Sequence, residues 1–146
     1  MRELIELQTG QVAFISGLMS GFSLSVAAHV LRYGIRSRVA QAVFLMLLLA
    51  SLLFLLALYV DVRLGIELAG FDEVPDEVAA RVVEVRVVGT TGATVALFMF
   101  VVAVGLLGWL ATPVTGLVST ALAGGVLYGL WFAWSRIGDI AATLAV

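Results

Sequence analysis

Four long apolar stretches dominate the chain, at about 11–33, 39–60, 91–112 and 114–134. Each is close to the ~20 residues a helix needs to cross the hydrocarbon core of a bilayer. Only helices and closed barrels satisfy their backbone groups in lipid, and these runs are too long and too evenly apolar for barrel strands. The pattern predicts an all-α integral membrane protein with four transmembrane helices. It forms a single membrane domain over 1–146, with one extramembrane loop at 61–90.

The four stretches differ in kind. At about 100° per residue, Thr9, Ser16, Ser20, Ser23 and Ala27 share one stripe of the first. Phe14, Leu18, Gly21, Ser25 and His29 share the opposite face, with Gln11 and Arg32 at its ends. Lipid does not reward a helix that is polar or small on two sides, so both sides are expected to face protein or water. The second span is nearly all Leu, Phe, Ala and Met around Ser51, which predicts a wall with much lipid contact. Tyr59, Asp61 and Arg63 mark its interfacial end, and the helix is free to run on to Leu68.

Pro75, with Asp76 and Glu77 behind it, suits a helix start. Residues 81–88, RVVEVRVV, fit a strand or a helix, and helix continuity into the third span is the expectation. Pro113 ends that span and opens the fourth. There Gly116, Thr120 and Gly124 recur at four-residue spacing, as do Gly125 and Gly129, a pattern that lets helix backbones approach closely. Trp131, Trp134 and Arg136 form an interfacial anchor, and the tail from Ser135 is expected to be a short surface helix.

Composition sharpens the class. Mean hydropathy is +1.15, and only 12% of residues are charged. A soluble domain of this size cannot cover its surface with so few polar groups. The first span follows acids rather than a basic segment and is long for a secretion signal, so it is not expected to be cleaved. There are no cysteines, which removes disulfides and thiolate chemistry. The loop between the first two spans is purely basic, with Arg32, Arg36 and Arg38, while the 61–90 loop is acidic. Counting basic residues near the spans gives a near tie. Charge density favours the arginine loop inside and both termini outside.

No catalytic constellation is present: no Ser/His/Asp set, no HExxH and no phosphate loop, so no enzyme and no cofactor is expected. A net charge of −2 without a basic stretch argues against nucleic acid. The spans show no internal acid to serve a proton-coupled exporter. Asp72, Glu73, Asp76 and Glu77 are candidates for attracting cations to an entrance, or are simply a solvated loop. They lack calcium-loop spacing, and a lone histidine closes no metal site. His29 is either a group at a pore mouth or an interfacial side chain with one hydrogen bond. The serines are either pore-facing or small packing residues bonded to the preceding turn.

The run Ser20-Gly21-Phe22, six residues before His29, resembles the first helix of Orai-type calcium channels. The four-span layout and the short first loop are similar, as are Leu97-Phe98, Leu106-Leu107-Gly108-Trp109 and the Trp131–Arg136 end. The resemblance implies oligomers around the first helix, with Phe14, Leu18, Gly21, Phe22, Ser25 and His29 along a pore. His29 then stands where the family has its glutamate ring, and Phe14 where it has a basic residue. Both are departures, and that family keeps its termini inside. The expectation is a small homo-oligomeric ion channel lined by the first helix, in the plasma or inner membrane. Ser16, Ser20, Ser23, Gly116, Thr120 and Gly124 pack helices together. Its partners are lipid, copies of itself and ions. A non-conducting scaffold or partner subunit is the alternative, and a small transporter is a more distant one.

Overall fold

The computed structural model describes the backbone of residues 2–68 and 76–144, and the side chains of 11–32, 34–67, 78 and 81–136. Four helices follow one another: α1 (Arg2–Tyr33), α2 (Arg38–Leu68), α3 (Asp76–Leu107) and α4 (Pro113–Leu144). A 3-10 turn, Gly108–Leu110, links the last two.

Local chemistry sets the reversals. Gly34, at φ 90°, takes the left-handed conformation that ends a helix, and its N–H donates to Leu31 O at 3.1 Å. Ser37 then caps α2, its Oγ accepting from Ala40 N–H at 3.0 Å. At the second turn Thr112 Oγ1 accepts from Thr115 N–H, and Thr115 Oγ1 accepts from Thr112 N–H. This is a reciprocal cap, and Pro113 sits just inside it.

Residues 81–88 are helical, so α3 runs unbroken into its span. Period-two valines do not make a strand here, because α2 also extends to Leu68 and α3 packs along it. The expected short surface helix after Ser135 is instead the continuation of α4 to Leu144. The turn expected at 70–75 lies outside the described residues.

α2 is more than a lipid-facing wall. It is the middle helix of an α1–α2–α3 layer and the most buried of the four spans. Its buried positions are Ala40, Val43, Leu47, Ala50, Phe54, Ala57 and Asp61, in alternating steps of three and four, with Ser51 buried beside Ala50. α1 answers with Ser16, Ser20, Ser23, Ala27 and Val30 at the same spacing. That 3.5-residue period is the seam of a left-handed helix pair. Small residues dominate the seam, while Leu45, Leu49, Leu52, Leu55 and Leu56 point outward. α1 also reaches α3, where Phe22 meets Phe100 edge-on with ring centres 5.9 Å apart.

α1 and α2 are hydrogen-bonded to each other at Ser20 and Ser51. Each hydroxyl donates to the other residue's carbonyl oxygen at 3.1 Å. Along α2–α3, a Cβ on Gly89 would stand 3.1 Å from Val60 Cγ1, and one on Gly92 would stand 3.8 Å from Leu53 O. α4 docks on α3 and on the 3-10 turn. Gly105 lies so close to it that a Cβ would stand 2.7 Å from Ala123 Cβ, and Ser119 Oγ donates to Gly105 O at 2.7 Å. Past Ala123 the glycine face of the helix is open, with nothing within 4 Å of a Cβ placed on Gly124, Gly125 or Gly129, while Leu127 and Leu130 on its other side stay half-buried.

Two predictions follow from these seams. Ser20→Ala should lower stability by about 0.5–1.5 kcal/mol, the range of a hydrogen bond between membrane helices. Ser20→Leu should cost more, because the seam has no room for the side chain. Thermal unfolding in detergent, compared across the two variants, checks the order. Gly105→Ala forces the α3–α4 crossing apart and should cost about 1–3 kcal/mol. Gly124→Ala meets nothing within the chain and should be neutral or slightly stabilising in monomeric micelles.

Candidate functional site on the open face of the first helix

Packing divides α1 into two faces. Ser16, Ser20 and Ser23 are buried on the side toward α2. Ser23 Oγ donates to Met19 O at 2.7 Å, and Ser20 is held by Ser51. Among the described residues every buried side-chain polar atom has a hydrogen-bond partner. The serine stripe therefore has no polar demand left for water or an ion.

The opposite face is open. Phe14 and Leu18 are 70% and 62% exposed, and Gly21, Ser25 and His29 are exposed beyond them. Phe22 stands at the border of this face, with its ring against Phe100 of α3. From Phe14 to His29 the face runs about 22 Å at 1.5 Å per residue, most of the ~30 Å hydrocarbon core. Its character changes along the way. The Gln11 end presents an aromatic ring and an aliphatic chain, and the other end presents a glycine, a hydroxyl, an imidazole and Arg32. His29 is exposed yet has an interaction of its own.

The α4 candidates separate. Gly116 is buried under the Trp109 ring, and Thr120 Oγ1 accepts from Trp109 Nε1 at 2.9 Å. Gly124, one turn further, packs against nothing in the chain. Asp72 and Glu73 lie outside the described residues. Asp76 and Glu77 begin α3, with their side chains outside the described set.

One charged group was missed. Asp61 is only 6% exposed, on the span Arg38–Glu67, so the spans do hold a buried acid. Arg86 of α3 acts on it electrostatically. The helix register explains the meeting, since Gly92 lies at Leu53 and Gly89 at Val60, so the next turn of α3 brings Arg86 to Asp61. The signal was in the sequence, because Asp61 continues the three-four repeat that starts at Ala40. By contrast, Arg63 and Glu67 pair at 2.6 Å on an exposed surface, where an ion pair contributes little.

Nothing else resembles a reaction centre. Among the described residues no three of His, Asp and Glu converge on a metal-sized site. A furrow of about 400 Å³ is lined by Leu55, Leu58, Tyr59, Val62, Arg63 and Ile66, all from α2, with no converging polar groups.

The fold therefore defines a class: an all-helical protein with four helices long and apolar enough to cross a membrane, Gln11–Arg32, Arg38–Glu67, Arg81–Leu110 and Pro113–Arg136. Compared with known proteins, it matches no family model, no curated protein and no solved structure. The likeness to Orai-type channels rests only on the residues that carry it.

The electrostatic coupling of Asp61 and Arg86 yields a prediction. Arg86→Leu leaves a buried carboxylate without its counter-charge and should destabilise the protein. The expected cost lies between the ~1 kcal/mol of an exposed pair and the 3–5 kcal/mol of a fully buried one. Adding Asp61→Leu should recover part of the loss, which a double-mutant cycle of unfolding free energies in detergent measures.

Proposed function

We propose that copies of this chain assemble around the open face of α1 and form a small ion-conducting pore in the plasma or inner membrane. One observation carries the reading. The face of α1 directly opposite its packed serines presents Gly21, Ser25 and His29 along the span. Lipid gives such a face nothing, whereas a shared water-filled axis solvates it. A single chain cannot enclose a path there, because α2 and α3 cover α1 from one side only. Several copies can. Phe14 and Leu18 then form an apolar constriction, and Ser25 and His29 line a polar vestibule. An imidazole in place of the glutamate ring of Orai-type channels removes the basis for calcium selectivity, so the reading is a pore without an assigned ion.

A specific observation favours the alternative of a non-conducting partner subunit. Val83, Val85, Val87 and Val88 of α3 are exposed, on the part of that helix α4 does not cover.

The absence of native cysteine makes the test clean. Single cysteines at Gly21, Ser25 and His29 should react with a water-soluble thiol reagent in proteoliposomes and change ion flux. Cysteines at Ser20 and Ser23 should stay silent. The reverse pattern would overturn the face assignment. A monomer in detergent, with no flux across several ions, would favour the partner subunit.

A further inference from the structure

The charges of the chain are sorted to its two ends. No acid occurs between Glu6 and Asp61, or between Glu84 and Asp139. Both the α1–α2 and α3–α4 turns are therefore free of carboxylate. These turns share one end of the layer, since Leu106 and Leu107 of α3 pack on the core formed by Ala27, Val30 and Val43. That end carries Arg32, Arg36 and Arg38, all exposed.

The arginines are gathered by the backbone rather than scattered on a long loop. Arg32 is in the last turn of α1, and Arg38 is the first residue of α2. The reversal between them is fixed by Gly34 and by the Ser37 cap. Arg36 folds back over it, with Nε 4.0 Å from where Gly34 would carry a Cβ. α2 and α4 both begin at this end with no acid in the first turn, so no carboxylate there pairs with the arginines from these turns. At the opposite end, Arg63 is engaged by Glu67, and Arg86 is electrostatically coupled to Asp61.

Depth matches the charge. The span Gln11–Arg32 covers 22 residues. At 1.5 Å per residue it is about 33 Å long, slightly more than the ~30 Å hydrocarbon core. Arg32 then stands at the headgroup boundary, and Arg36 and Arg38 stand among the headgroups. The planar guanidinium forms paired hydrogen bonds to phosphate oxygens better than any other side chain.

We propose that Arg32, Arg36 and Arg38 form a binding site for the headgroup phosphate of an anionic phospholipid, which fixes this end of the protein in the anionic, cytoplasmic leaflet. Neutral lipid offers the same phosphate but cancels it with its own cation, so the net charge of the headgroup is what the acid-free end selects. The acid-rich end is left outside. The site stands whether or not α1 lines a pore.

The test uses the purified full chain in neutral detergent, titrated with phosphatidylglycerol or phosphatidylcholine and read by native mass spectrometry as lipid retained. The unaltered protein should prefer phosphatidylglycerol, and the preference should weaken as salt rises. Each Arg→Gln change should weaken binding about fivefold, on the order of a hundredfold for R32Q/R36Q/R38Q together. The R63Q/R136Q control should bind as the unaltered protein does. R36Q alone changes only an exposed loop residue and keeps the test valid if the triple variant fails to fold. At matched ionic strength, inorganic phosphate should displace no more lipid than chloride does. An unchanged preference in R36Q and the triple variant, an equal loss in R63Q/R136Q, or greater displacement by phosphate than by chloride would overturn the proposal.

Discussion

Close approach of helices along small residues is the constraint on which the layer depends. Inside a bilayer, lipid tails are as apolar as leucine, so burying leucine against leucine gains little. What remains is dispersion between closely packed backbones and the few hydrogen bonds they permit. α2 meets this constraint on both flanks. Toward α1 it offers Ser51 to Ser20, and toward α3 its backbone comes close to Gly89 and Gly92. Leu45, Leu49, Leu52, Leu55 and Leu56 point away from the seams, and Leu47 alone among the described leucines of α2 is fully buried in one. The same seam holds α1 at a fixed rotation, so its packed serines and its open Gly21–Ser25–His29 face have one cause.

The number of the helices was legible because length and apolarity alone set it, whereas the start of α1 at Arg2 and the continuation of α4 to Leu144 were not. Nor was the place of α2. A helix apolar all round has little periodic contrast between its faces, and judging it by hydrophobicity put it against lipid. Its inward stripe is marked by size instead, through Ala40, Ala50, Ser51 and Ala57. Asp61 escaped for the same reason, since it looks interfacial in sequence and reveals its burial only when that stripe is extended one more turn. The 81–88 segment stayed ambiguous because valine alternation suits a strand locally, whereas its pairing with α2 is a tertiary fact. On α1, helical geometry alone separates the serine stripe from the face opposite. Which stripe packs depended on Ser51, a residue 31 positions away from Ser20.

α4 is held in a different way. Gly105, Gly108 and Gly116 bring the α3–α4 hairpin into tight contact near its turn, and Thr115, Ser119 and Trp109 tie it with hydrogen bonds. Beyond Ala123 the glycine face is open, with nothing within 4 Å of a Cβ on Gly124, Gly125 or Gly129. Leu127 and Leu130, on the other side of the helix, stay half-buried. Gly124, Gly125 and Gly129 keep their capacity for close approach unspent within the chain. An assembly of copies offers those positions a neighbour, whereas an isolated chain offers them only lipid.

The sorting of charge and the open face of α1 constrain each other. If the arginine end lies in the cytoplasmic leaflet, His29 and Ser25 open toward the cytoplasm, and Phe14 and Leu18 lie toward the outside. A cation drawn to the acid-rich end would then meet the apolar constriction before the polar vestibule. Orai-type channels keep their termini inside, so this orientation is the reverse of theirs. The reversal bears directly on the likeness. An equivalent first helix would carry its Ser20-Gly21-Phe22 run through the membrane in the opposite sense, and His29 would no longer sit at the outer mouth where the glutamate ring acts. Orientation is therefore the property that separates a true relative of that family from a chain that shares only its layout. The side on which Arg32, Arg36 and Arg38 lie decides it.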